Sequence, residues 1–220
     1  MLFTSSLFAL VAAATASRIS FSLHGIANTR AVQRAFEAAN IPEDLAITFN
    51  PTAILDVSYL QTDGSTVHLH PGLNVPRNQT ASAPEMALHF TDSKGASART
   101  SGSFVVIMID PDAPTPQNRS LSSVNHFIGG DFYPSDHGVL ANSTAAVTEY
   151  RQPRPPQESA AHRYVFLAFL QSEEFASQTL VNADTSMFFF NVSQFAAETG
   201  LGSPIAGNFM FVDPAEDPEA

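Results

Sequence analysis

A chain of 220 residues with 44% hydrophobic content can bury one sizeable core and falls short of what two would need. Its 21 acidic residues against 10 basic ones leave a net charge of −11, which excludes a broad basic face for nucleic-acid phosphates but not one anion held by local donors. Cysteine is absent, so disulfide staples, thiolate metal sites and thiol catalysis are excluded together.

Residues 1–16, "MLFTSSLFALVAAATA", form an apolar run that closes on Ala14-Thr15-Ala16, the small-x-small pattern of a signal-peptide cleavage site. This predicts a leader, with residues 17–220 as a single mature domain beginning at Ser17. Four sequons fit an exported glycoprotein: Asn78-Gln79-Thr80, Asn118-Arg119-Ser120, Asn142-Ser143-Thr144 and Asn191-Val192-Ser193. No other apolar run approaches the length of a transmembrane helix, so the expectation is a soluble protein that is secreted or held in the secretory-pathway lumen or vacuole.

Further along, "NTRAVQRAFEAAN" places Ala31, Val32, Ala35, Phe36 and Ala39 on a helical stripe, with Asn28 or Thr29 to cap it and Asn40 to end it. From Ala46 the pattern shortens and alternates. "AITFNP", "ILDVSYL", "VHLH" and "EMALHF" are predicted strands, broken by Pro51, Asp63-Gly64 and Pro71-Gly72, and residues 73–84 read as a surface loop. Residues 104–109 and 164–170 are apolar nearly throughout, which suits central strands covered on both faces. Between them, residues 110–161 are rich in Gly, Pro and Ser, a connection long enough to be functional. "NVSQFAAETG" predicts a short helix capped by Asn191 and stopped by Gly200, and from about residue 213 the acidic, Pro-rich tail is expected to fray. The sum is a mostly β domain with a few peripheral α-helices.

Two stretches carry the chemistry. "IDPDAPTPQNRSLSSVNH" leaves the first buried strand through Asp110 and Asp112 on a Pro-stiffened loop that ends at His126. "RPPQESAAHRYVFLAFL" enters the second through Pro155, Pro156, His162, Arg163 and Tyr164. If the two strands are antiparallel neighbours, exit and entrance share one sheet edge and Asp110, Asp112, His126 and His162 come together.

These motifs, "DPDAP", a following histidine, and "PP" ahead of "HRYVFL", resemble the phosphatidylethanolamine-binding protein (PEBP) family, as a secreted, fungal-type member. "NIPEDLAITFNPTAILDVSYL", "VHLHPGLNV" and "FNVSQFAAETGLGSPIAGNFMF" extend the likeness over residues 28–212. The resemblance implies antiparallel strands in two sheets and a small cavity for phosphate or a phospholipid headgroup, built here from Asp110, Asp112, His126, Pro155, Pro156, His162 and Tyr164. It implies no cofactor. Relatives that inhibit a serine carboxypeptidase or bind kinases add a second reading, a secreted peptidase inhibitor.

The chain departs from the family pattern at three places. Thr115-Pro116 stand where relatives carry Ser-Arg, and Arg119 does not simply replace that arginine. Gln157-Glu158-Ser159 replace a Gly-rich approach to "HRY", and Met210 stands where some relatives have a tyrosine. The carboxyl-terminal helix of mammalian members also has no counterpart in the acidic tail.

A third reading is an acid/base hydrolase using the Asp/His cluster. No Gly-x-Ser-x-Gly elbow is present and no nucleophile is singled out by spacing, so a non-catalytic binding protein is expected. His68 and His70 lie on one side of a predicted strand without a third ligand nearby, so no metal site is assigned; Phe188, Phe189 and Phe190 are expected to pack in the core.

Overall fold

The computed structural model of the protein describes residues 28–91, 102–135, 137–142 and 144–214. The expected leader, residues 1–16, and most of the acidic tail expected to fray lie outside them.

Helix α1 (Thr29–Ala38) opens on Asn28, whose side chain accepts the Ala31 N–H at 2.8 Å, and buries Val32 and Phe36. Asn40 turns left-handed at φ 56° and starts the short α2 (Ile41–Asp44). The strands are β1 (Ala53–Leu60), β2 (Thr66–His68), β3 (Leu73–Asn74), β4 (Glu85–Phe90), β5 (Phe104–Asp110), β6 (Val124–Pro134), β7 (Leu140–Ala141), β8 (His162–Leu170) and β9 (Ala206–Val212). Helices α3 (Glu173–Ala176) and α4 (Val192–Glu198) precede β9, with Asn191 capping α4 and Gly200 at φ 68° beyond its end.

The strands form a three-stranded sheet, β2-β1-β4, and a six-stranded sheet, β3-β9-β8-β5-β6-β7. The named strand pairs are antiparallel, except that β3 runs parallel to β9 at the edge. The condition on which the two chemical stretches meet is fulfilled: β5 and β8 are antiparallel neighbours in the middle of the larger sheet, with Ile109 opposite Val165.

The continuous apolar character of these two strands has a direct cause. Val105, Ile107, Ile109, Val165, Leu167 and Phe169 pack into one core cluster with Phe36, Phe49, Phe175 and Phe195. Phe104, Val106, Met108, Phe166 and Ala168 pack into a second with residues of β1 and β4. Because side chains alternate, residues 163, 165 and 167 share the helix face, whereas Asp110, His162 and Tyr164 share the face toward the second sheet.

Three expectations fail locally. "AITFNP" is not a strand: Ala46 turns at φ 52°, and Phe49 stacks on Phe36 with ring centroids 4.1 Å apart, so its apolar residues fill the helix-side core without ladder partners. Residues 73–84 contain β3 and a 3₁₀ turn at Arg77–Thr80. Residues 110–161 contain the eleven-residue β6, whose apolar pattern Asn125, His126, Gly129, Gly130 and Asp131 interrupt. Gly129 and Gly130 are there because a Cβ would stand 2.5 Å from the Phe127 ring at the first and 2.5 Å from the Phe175 ring at the second.

Phe36 joins α1 to the sheet through Phe49 and an edge-on contact with Phe209 at 5.3 Å. Phe36→Ala should therefore lower the unfolding free energy by about 3–5 kcal/mol. Urea denaturation measures this, and a loss below 1 kcal/mol would contradict the assigned packing.

Candidate functional site

Strand β5 ends on Asp110 and β8 begins on His162, which places both buried side chains at one edge of the large sheet. Asp110 Oδ2 lies 2.8 Å from His162 Nδ1, and Asp110 Oδ1 accepts the Asp112 N–H at 2.8 Å. A carboxylate can only accept, so Nδ1 carries the proton and Nε2 of a neutral His162 presents a lone pair. That Nε2 faces Ser159 Oγ at 2.8 Å. Burial first, then the charge of Asp110, raises the Tyr164 pKa well above the phenol value, so its hydroxyl stays protonated.

His126 reaches the site by a device that the linear sequence conceals. Ile109 pairs with Asn125 and Met108 with Phe127, so His126 is the extra residue of a β-bulge, and the bulge re-aims its ring. The ring meets Tyr164 edge-on with centroids 5.0 Å apart. Its Nδ1 lies 2.9 Å from the Arg151 carbonyl oxygen and must donate to it, which leaves Nε2 available. Burial is the largest influence on His126 and lowers its pKa, against the Arg151 carbonyl and the Asp110 charge, which raise it.

On the opposite face, Asp112 is committed to arginines. Its Oδ2 accepts the Arg163 backbone N–H and Nε–H, each at 2.9 Å, and its Oδ1 accepts Arg163 Nη2 at 2.6 Å. Burial pushes the Asp112 carboxyl up, but the Arg163 hydrogen bonds and charge, with the charge of Arg119, outweigh it and hold the pKa below the ordinary carboxylate value. Arg119 returns to the cluster after all, 3.2 Å from Asp112 and 2.7 Å from Asp44; Asp44 also pairs with Arg163 at 2.8 Å. Asp112 thus supports the site from behind, while Asp110, His162, Tyr164 and His126 form it. Pro155 is buried and Pro156 exposed on the segment leading in, where the Pro156 carbonyl accepts the Ser159 N–H at 3.0 Å.

Sequence reasoning offers no route to Arg151 or Asp44, because each enters through contact between distant segments; Ser159 stands three residues before His162, a local spacing that matches no nucleophile motif. A cavity of about 260 Å³ lies on the helix side, lined in part by Asp44, Ser122, Ser123, Phe189 and Phe190; Asp110, His126, His162 and Tyr164 do not line it. Of the three consecutive phenylalanines only Phe190 is buried: Phe188 is 41% exposed and Phe189 66%, at φ 62°. The backbone of residues 187–190 explains this, since the Met187 carbonyl accepts from Asn125 N–H and Phe190 N–H donates to the Ser123 carbonyl, both at 2.8 Å, holding the segment along the loop into β6. His68 and His70 are both exposed, and the described residues contain no group of three or more His, Asp or Glu that could hold a metal.

The family profile described as phosphatidylethanolamine-binding protein matches residues 58–210. CEN-like protein 4 of Nicotiana tabacum is 31% identical over 162 residues, which span 74% of this chain and 82% of that protein. Among solved structures, a carboxypeptidase Y inhibitor complexed with its cognate proteinase aligns with a TM-score of 0.71 at 22% identity, covering 84% of this chain and 96% of that one. The phosphatidylethanolamine-binding protein of Plasmodium vivax aligns with a TM-score of 0.61 at 15% identity, covering 83% and 97%. The class is therefore a two-sheet β binding protein. This chain belongs to the phosphatidylethanolamine-binding protein family.

Two outcomes follow from the site. Asp112→Ala removes three of the hydrogen bonds made by Arg163 and leaves Asp44 as its remaining carboxylate partner, so it should cost up to about 3–5 kcal/mol in urea denaturation. For His126 the folded pKa lies below the unfolded one, so the unfolded chain takes up the proton first. Its contribution to stability is whole above the ordinary histidine range and is lost as pH falls below about 6.5. Melting temperatures across that range should drop less in His126→Gln than in the unaltered protein; equal slopes would remove His126 from the account.

Proposed function

We propose that the protein is an exported PEBP-type binding protein whose Asp110, His126, Pro155, Pro156, His162 and Tyr164 site, held in place by Asp112, takes a small anion or the phosphate of a phospholipid headgroup. The observation that carries this reading is the pair of histidines whose Nδ1 atoms are both committed, His162 to Asp110 and His126 to the Arg151 carbonyl, which turns the His126 Nε2 to a ligand and leaves the His162 Nε2 held only by the Ser159 hydroxyl, which a ligand can displace. Protonated, each becomes a donor to an anion oxygen, and an anion beside them raises their affinity for the proton. The reading assigns binding to the site and asks no turnover of it. Export is supported by the apolar run of residues 1–16 and by the exposure of all four sequon asparagines, Asn78, Asn118, Asn142 and Asn191. Among the described residues no helix is long and apolar enough to cross a membrane.

A second reading, inhibition of a secreted or vacuolar peptidase, draws support from the likeness to the carboxypeptidase Y inhibitor and from the exposed Phe188 and Phe189 on an outer loop. Inhibition of a serine carboxypeptidase that survives His162→Ala but falls with Phe188→Ala and Phe189→Ala together would favour it.

Calorimetric titration with inorganic phosphate and with phosphorylethanolamine tests the first reading. Binding should be tighter at about pH 5.5 than at about pH 7.5, because a protonated imidazole donates to an anion oxygen where a neutral Nε2 cannot, and the anion's charge opposes the burial that lowers the His126 pKa. It should vanish in His162→Ala and weaken in Tyr164→Phe. A folded protein that gives no saturable heat at either pH would sink the headgroup reading.

A further inference from the structure

The site contains a second chemistry. Ser159 Oγ, His162 and Asp110 form an unbroken relay, 2.8 Å from hydroxyl to Nε2 and 2.8 Å from Nδ1 to carboxylate. The tautomer is fixed by chemistry: Asp110 only accepts, so Nδ1 is protonated, and a neutral His162 must then accept the Ser159 proton at Nε2. This is the arrangement in which an imidazole serves as general base to a hydroxyl while a buried carboxylate orients the ring and stabilises the imidazolium that forms. Asp110 and His162 are 3% and 1% exposed, whereas Ser159 is partly exposed on the turn outside them. The orienting carboxylate is itself held by the Asp112 N–H at 2.8 Å. The serine is placed by a Pro-rich segment, residues 153–156, and by its N–H bond to the Pro156 carbonyl, so no nucleophile-elbow motif is needed.

We propose that Ser159 is a nucleophile that accepts an acyl group from a small uncharged ester. Oγ attacks the ester carbonyl as its proton passes to His162 Nε2. The carbon–oxygen bond to the leaving alcohol breaks, and the alcohol takes that proton. Water then adds to the acyl-serine with His162 as base, the acyl–Oγ bond breaks, the carboxylic acid departs and Ser159 regains its proton. Ester and water become acid and alcohol. The exposed Glu158 beside Ser159 disfavours an anionic acyl group, and the aromatic rings of Tyr164 and His126 border the site. This inference does not rest on the headgroup reading: attack requires neutral His162, whereas an anion is held by the protonated ring.

The test is intact-protein mass spectrometry after exposure to a fluorophosphonate, whose fluoride is displaced by an activated serine, with p-nitrophenyl acetate hydrolysis followed in parallel at about pH 7.5. One adduct mapping to Ser159 by peptide digestion is expected. Ser159→Ala should lose both adduct and hydrolysis while keeping the melting temperature, and Asp110→Asn should slow labelling at least about 100-fold. An unlabelled folded protein, an adduct on another residue, or hydrolysis unchanged in Ser159→Ala would overturn the proposal. Phosphate binding without labelling would refute the nucleophile and leave the headgroup reading standing; labelling without phosphate binding would do the reverse.

Discussion

The pair formed by Asp112 and Arg163 is the constraint on which the site depends. Three hydrogen bonds from one residue to one carboxylate tie the turn after β5 to the first residues of β8. Such a pair is a weak source of net stability, because desolvating two ions offsets much of their attraction. Its effect lies in register. Side chains alternate along a strand, so a slip of one residue in β8 would send Arg163 toward the second sheet and His162 toward the helices. With Arg163 fixed to Asp112 and Asp44, that slip would strand a buried cation, and His162 is held opposite Asp110 as a consequence.

The other half of the site is set by irregularity. β6 carries His126 as the extra residue of a bulge, and the ring is then fixed by the Arg151 carbonyl and by the edge of Tyr164. A regular strand would have left the imidazole to the ordinary alternation. Ladder, bulge and Pro-stiffened segment thus each place one wall, and the Tyr164 ring contacts both imidazoles, His126 edge-on and His162 stacked.

What could be read from the sequence divides along the same physical line. Central strands announce themselves because burial on both faces demands uninterrupted apolar residues, so β5 and β8 were legible; their pairing entered only as a condition, which the ladder fulfils and which brings Asp110 and His162 together. The capping of α1 and α4 was legible because Asn28 and Asn191 act on N–H groups three residues away. "AITFNP" misled because Ile47 and Phe49 are apolar for the sake of the helix-side core, not of a ladder. β6 was missed because its glycines and polar residues obey ring packing and the bulge. Arg119 and Asp44 act across the fold, where spacing carries no signal, whereas Ser159 lies three residues before His162 with no motif to mark it. Phe188 and Phe189 reverse the usual inference from apolarity to burial, since backbone bonds to the neighbouring loop set their direction.

On the proposed readings one nitrogen atom decides what the site can do. His162 Nε2 is engaged by the Ser159 hydroxyl, so an anion oxygen can reach it only by displacing that hydroxyl or by accepting from it. A neutral hydrogen bond of this kind contributes about 0.5–1.5 kcal/mol net, which the histidine charge and a ligand anion must outweigh. Glu158 beside the entrance and a net charge of −11 oppose a bare dianion more than a zwitterionic headgroup, whose amine offsets part of the repulsion. The replacement of a Gly-rich approach by Gln157-Glu158-Ser159 therefore has a physical consequence in either case. It puts a hydroxyl on the imidazole and a carboxylate beside it, so anion binding must compete with a contact already made, and the same contact is the one that a nucleophile would require.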